Sequence, residues 1–230
     1  MNNLELNILY EDNHLLILNK PSGILVQGDD TGDWPLVEYA KEYIKKKYKK
    51  LGAVFLGVVH RLDRPVSGAI VFARTSKSLE RMNSLFRNRK TIKTYWALVS
   101  NLPSKPEDIL THWLKKDEKK NKTTAYKKET LNSLKSELSY KVLDVVKGNY
   151  LVEVKPITGR SHQIRVQLSS IGCPIIGDVK YGYPLGNDDG SIHLHARQIE
   201  FEHPVKKVDL KIIAPLPDHP LWQYFGTFER

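Results

Sequence analysis

The residues best suited to chemistry gather in one short polar run, His60-Arg61-Leu62-Asp63-Arg64-Pro65-Val66-Ser67-Gly68. A single carboxylate, Asp63, stands between two guanidiniums, Arg61 and Arg64, and neighbouring cations favour its ionised form. Pro65 and Gly68 close the run, and Asp is itself a common turn residue, so a capped turn is the plain structural reading. Apolar runs lie on both sides, at residues 53–59 and 69–73, and read as strands. A polar turn between two such runs is a loop held at the end of a sheet, where binding and catalytic groups concentrate.

Two further groups have chemical potential. Thr158-Gly159-Arg160-Ser161-His162-Gln163-Ile164-Arg165 precedes an apolar stripe, Ile164, Leu168 and Ile171, at helical spacing, with Ser161 as the expected N-cap and Gly172 as the stop. Arg165 falls beside that stripe near the core, where a charge requires a carboxylate partner. Asp63 would serve. Lys93-Thr94-Tyr95-Trp96-Ala97 alternates as a strand does. A strand tyrosine is more often core, yet a phenol can stack on a splayed base and its hydroxyl can reach a proton. His193, His195 and His203 suggest metal ligands, but the only cysteine, Cys173, lies away from them and no carboxylate completes a set, so no metal site is expected.

The elements that must position these groups follow from pattern. Residues 6–10 and 15–19 read as two short strands, followed by a turn at Lys20-Pro21-Ser22-Gly23. Residues 36–51 form a helix with an apolar face and a lysine-rich one, the latter either solvated or resting on phosphates. Residues 75–88 form a second helix capped by Thr75 or Ser76. Residues 101–137 read as a strand-and-loop excursion with no functional residue, and 139–155 as a hairpin turning at Lys147-Gly148-Asn149. Apolar residues make up 40% of the 230, enough for a core, and 36 Lys and Arg against 26 Asp and Glu give a net charge of +10. That balance points to a polyanionic partner, nucleic acid before membrane. One cysteine cannot form an internal disulfide, and no apolar run is long enough for a bilayer span, so a cytoplasmic protein without a membrane partner is expected.

His60-Arg61-Leu62-Asp63-Arg64 with Ser67-Gly68 resembles the signature of the RluA family of RNA pseudouridine synthases, with Val66 where the family usually has Thr. Lys20-Pro21-Ser22-Gly23, Lys93-Thr94-Tyr95, Gly159-Arg160-Ser161-His162-Gln163-Ile164-Arg165 and Gly177-Asp178 with Tyr181-Gly182 resemble its other motifs in order. The resemblance implies an α+β pseudouridine synthase catalytic fold: a central, largely antiparallel mixed sheet flanked by helices, with an active-site cleft. It implies one catalytic domain over residues 1–230, acting as a monomer without an accessory RNA-binding domain, a cofactor or a metal. It places the catalytic aspartate on Asp63, the base-contacting tyrosine on Tyr95 and the arginine that pairs with the aspartate on Arg165. Arg61, Arg64, Arg160 and Lys93 would contact RNA. The implied reaction is isomerisation of specific uridines in ribosomal or transfer RNA. A non-catalytic RNA-binding or ribosome-assembly factor on the same scaffold would bind RNA without isomerising it, and an enzyme of free nucleotides would lack steep salt dependence. No Gly-rich phosphate loop or Ser elbow supports a rival chemistry.

Overall fold

The computed structural model describes residues 4–226. Its strands are β1 (Asn7–Glu11), β2 (Leu15–Lys20), β3 (Gly57–Val58), β4 (Ser67–Ala73), β5 (Thr91–Val99), β6 (Glu107–Asp117), β7 (Lys122–Tyr126), β8 (Leu134–Val146), β9 (Asn149–Pro156), β10 (Leu194–Glu202) and β11 (Asp209–Ile213). Four helices accompany them: α1 (Leu36–Lys47), α2 (Ser76–Arg87), α3 (Gln163–Ser170) and the short α4 (Pro220–Gln223). The chain forms two compact units, Met1–Ile92 with Ala196–Pro215 and Lys93–His195 with Leu216–Arg230. Elements alternate irregularly and strands dominate, which is the expected α+β class.

In the first unit the sheet runs β1-β2-β4-β10-β11, with β3 against β4. Leu15 to Leu18 and all of β4 are buried, so these central strands are apolar on both faces. Met82 of α2 packs with Leu15, Ile17, Val71 and Ile199. The Thr75 hydroxyl accepts the Ser78 amide, giving α2 the expected cap. The strand expected over 53–59 shrinks to two residues. A Cβ on Gly57 would lie 2.7 Å from the Leu79 side chain, and Phe55 is exposed, so only Gly57 and Val58 reach a sheet partner.

The second unit's sheet runs β5-β9-β8-β6-β7, all antiparallel. The hairpin of β8 and β9 turns at Lys147 (φ 51°) and Gly148 (φ 75°), the paired left-handed residues of a tight two-residue hairpin turn. Within the expected strand-and-loop excursion, residues 107–126 form the ordered β6–β7 hairpin; α3 packs beneath it, with Leu114, Val166 and Tyr181 in one cluster. Ser161 does not cap α3: His162 takes the cap position in the left-handed region (φ 54°) and makes no side-chain cap bond.

Two buried histidines make stability depend on pH. In the first unit the His203 Nδ1 accepts the Val205 and Lys206 amides, so its proton sits on Nε2, which donates to Asp12 at 3.0 Å. In the second unit His193 stacks edge-on with His219. Burial lowers the pKa of both rings; for His193, aided by His219, it falls to about 4. Each ring is neutral in the fold but takes a proton in the unfolded chain below about pH 6.5. Stability should therefore fall with pH, His193 alone costing about 3 kcal/mol between pH 6.5 and 4. Urea midpoints across that range check this, and His193→Gln should flatten the slope.

Candidate active site

In the first unit, Asp63 sits half-buried on a loop whose backbone is held from beneath. The Val66 amide donates to the Asp63 carbonyl at 3.0 Å and closes a turn. Lys20, the last residue of β2, is fully buried; its ammonium donates to the carbonyls of Pro21, Ile24 and Arg64 at 2.9, 2.8 and 3.1 Å. The Gly23 amide donates to the same Arg64 carbonyl at 2.8 Å. The Lys-Pro-Ser-Gly turn and the Asp63 loop are thus stitched together through one buried cation. Burial pushes the Lys20 pKa down to about 7, while the negative charge of Asp63 acts to raise it. Sequence reasoning treated Lys20 as a turn residue. The missed signal is a lysine at the end of a strand that opens with four apolar residues, which has to find acceptors if buried.

The rest of the loop is anchored from both ends. His60 stacks on Phe86 at 4.9 Å and its Nε2 accepts the Val71 amide at 3.1 Å, which sets its tautomer. Leu62, Val66 and Ser67 are buried. Gly68 has φ +115°, and a Cβ there would stand 2.5 Å from the Ala196 nitrogen and 2.7 Å from its carbonyl carbon. Gly68→Ala should therefore destabilise the protein by about 2–3 kcal/mol, through backbone strain and forced separation of two strands. Urea denaturation measures it; an unchanged midpoint would mean that the strands part freely.

Arg61 is exposed, as a phosphate contact requires. Arg64 is committed locally: its Nε donates to the Gly23 carbonyl at 2.9 Å and its Nη1 pairs with Asp33 at 2.7 Å. A phosphate reaching the Arg64 Nη1 competes with Asp33.

In the second unit, Tyr95 is a half-buried residue of β5, opposite Val154. Lys93, two residues earlier, lies with its ammonium 3.7 Å from where a Cβ on Gly159 would be, so β5 and the Thr158–Arg160 loop meet there. Burial lowers the Lys93 pKa. Arg160 is exposed; its amide donates to the Gln163 side-chain oxygen at 3.0 Å, which also accepts the Thr158 hydroxyl at 2.8 Å. Gln163 thus shapes the loop.

Arg165 is 5% exposed. Its Nε and Nη2 meet the Asp178 carboxylate bidentately at 2.7 and 2.9 Å, and the guanidinium lies 5.0 Å over the Tyr181 ring. The Tyr181 hydroxyl in turn accepts the Thr123 amide at 2.9 Å and lies 2.7 Å from the His162 Nδ1. Sequence reasoning offered Asp63 as the carboxylate a buried Arg165 needs; Asp178 takes two of its nitrogens, a role not foreseen. The acid and the ring of the Gly-Asp-x-x-Tyr-Gly run both serve this arginine. Among the described residues no group of three or more His, Cys, Asp or Glu side chains could hold a metal ion.

The chain is 36% identical over 217 residues to the ribosomal large subunit pseudouridine synthase C of Buchnera aphidicola subsp. Baizongia pistaciae, covering 91% of this chain and 66% of that protein. It is 34% identical over 228 residues to the protein of the same name from Vibrio cholerae, covering 94% and 67%. The chain thus spans about two thirds of the length of these relatives. Among solved structures, human RNA pseudouridylate synthase domain containing 4 matches with a TM-score of 0.76 and 27% identity, covering 92% of this chain and 89% of that one. Human RNA pseudouridylate synthase domain containing 1 shares the fold at a TM-score of 0.70 and 20% identity, covering 98% and 95%. The RNA pseudouridylate synthase profile matches residues 14–170, which include the Asp63 loop, Tyr95 and Arg165, and the chain belongs to that family.

Proposed function

We propose that this protein isomerises uridine to pseudouridine in RNA, with large-subunit ribosomal RNA, named for its relatives, as the substrate class. The observation that carries the reading is the Asp63 loop itself: a half-buried carboxylate on a backbone fixed by a buried lysine and closed by a glycine whose place any side chain would crowd. Such rigidity suits a group that must meet a reacting atom at a set distance.

The reaction breaks the bond between N1 of uracil and C1′ of ribose, turns the base, and joins C5 to C1′. The proton on C5 leaves and N1 regains one, so atoms and electrons balance without a redox partner. The uridine first leaves its stack, at a cost of a few kcal/mol. Asp63 acts as the nucleophile, at the sugar or at the ring, and starts the cleavage. Tyr95 stacks on the extruded base and takes part in moving the C5 proton. Arg165, which the family resemblance pairs with the aspartate, serves as its cationic partner. Arg61, Arg160 and Lys93 take phosphates, as does Arg64 once Asp33 gives way. Residues 1–230 act as one catalytic domain, monomeric and in the cytoplasm.

The test is incubation of the purified protein with a large-subunit ribosomal RNA transcript carrying 5-tritiated uridine. Release of tritium with new pseudouridines at discrete sites is expected. Tight binding without release would instead mark a non-catalytic RNA-binding factor.

A further inference from the structure

The β6–β7 hairpin carries a face that the proposed chemistry leaves unused. Its inner face is core: Leu110, His112 and Leu114 are buried, and the Gln167 side chain of α3 donates to the Leu110 carbonyl at 3.2 Å. Residues directly opposite in an antiparallel pair share a face. Trp113 stands opposite Tyr126 on one side and Lys135 on the other, forming one outward row across three strands. The next outward pair is Lys115 with Thr124, both exposed. Tyr126 is 37% exposed and Trp113 half-buried, so two aromatic rings sit on a solvent-facing sheet.

Charge surrounds this row. Residues 113–135 hold eight lysines against three carboxylates, Asp117, Glu118 and Glu129. Two lysines of the group are engaged by acids, Lys116 by Glu118 at 2.6 Å and Lys135 by Glu137 at 2.9 Å. Lys115 is exposed on the outward face, and the exposed Lys127 and Lys128 follow Tyr126 at the end of β7. The hairpin is also rigidly seated: the Thr123 amide donates to the Tyr181 hydroxyl and its own hydroxyl to the Ser161 carbonyl at 3.1 Å.

We propose that the outward face of β6 and β7, built on Trp113 and Tyr126 with Lys115, Lys127 and Lys128 at its border, is a docking platform for single-stranded RNA flanking the modified uridine. Exposed aromatic rings on a sheet give unstacked bases a surface, and lysines beside them neutralise the strand's phosphates. An apolar protein partner would not call for that excess of cations. The inference rests on RNA being the substrate, and it assigns a role to a segment that bears none of the motifs.

Fluorescence anisotropy with a short, unstructured, labelled oligouridine tests it without requiring turnover. Tyr126→Ala should weaken binding roughly tenfold, the stacking share of one base, with little change in salt dependence. Tyr126→Phe, which keeps the ring, should bind as the wild type does. Lys115→Ala with Lys127→Ala should lower the slope of log affinity against log salt by about 0.7 for each lysine removed. All three positions border solvent, and an unchanged thermal melt confirms the fold. Wild-type affinity and salt slope in the Tyr126→Ala and double-lysine proteins would overturn the proposal, as would a Tyr126→Phe protein as weak as Tyr126→Ala. A wild-type protein that binds oligouridine through Tyr126 yet isomerises nothing would sink the enzymatic reading and leave the platform standing.

Discussion

Asp178→Ala is expected to cost the folded protein about 3–5 kcal/mol, a large share of the stability of any single domain. The residue is 1% exposed and holds two nitrogens of a guanidinium that is itself 5% exposed. Removing the carboxylate withdraws a bidentate, charge-assisted contact from a cation that cannot shed its proton. The damage spreads, because Tyr181, three residues on, packs beneath the same guanidinium and takes the Thr123 amide. Asp178→Asn keeps one acceptor and should lie between the two. Urea denaturation of the full chain measures both. A midpoint for the alanine variant equal to that of the wild type would show that Arg165 does not depend on this acid.

That acid also marks where the sequence stops being readable. Local signals carried far: the Thr75 cap, the Lys147-Gly148 turn and the Gly172 stop after α3 are all set by neighbours in the chain. Tertiary choices were not legible. Nothing local says that Arg165 bonds Asp178, or that Lys20 gathers three carbonyls from two loops. The cap of α3 was misplaced because His162 is held in the left-handed region while Gln163 bonds the preceding loop. The β6–β7 hairpin was obscured by its lysines, which mask an alternation that is plain once Leu110, His112 and Leu114 are seen to face inward. The candidate site residues stand out in the sequence because they cluster in short ordered motifs. Their supports, drawn from other elements, do not.

The second large effect falls on turnover and spares the fold. Asp63→Asn replaces the carboxylate proposed as the nucleophile by an amide of the same shape. Bonds that hold the loop run to its backbone, Val66 to the Asp63 carbonyl and Lys20 and Gly23 to the Arg64 carbonyl, and the change leaves them in place. RNA affinity should stay near the wild-type level, since phosphates bind the cations and the change removes none. Removing a covalent catalyst costs about 10^4-fold or more in rate. Tritium release from 5-tritiated uridine in large-subunit ribosomal RNA, followed for both proteins at saturating RNA, is the most direct measurement. Release by the wild type with none above background from Asp63→Asn is the predicted result; release from the variant at a comparable rate would contradict the assignment of Asp63 as the group that starts the reaction.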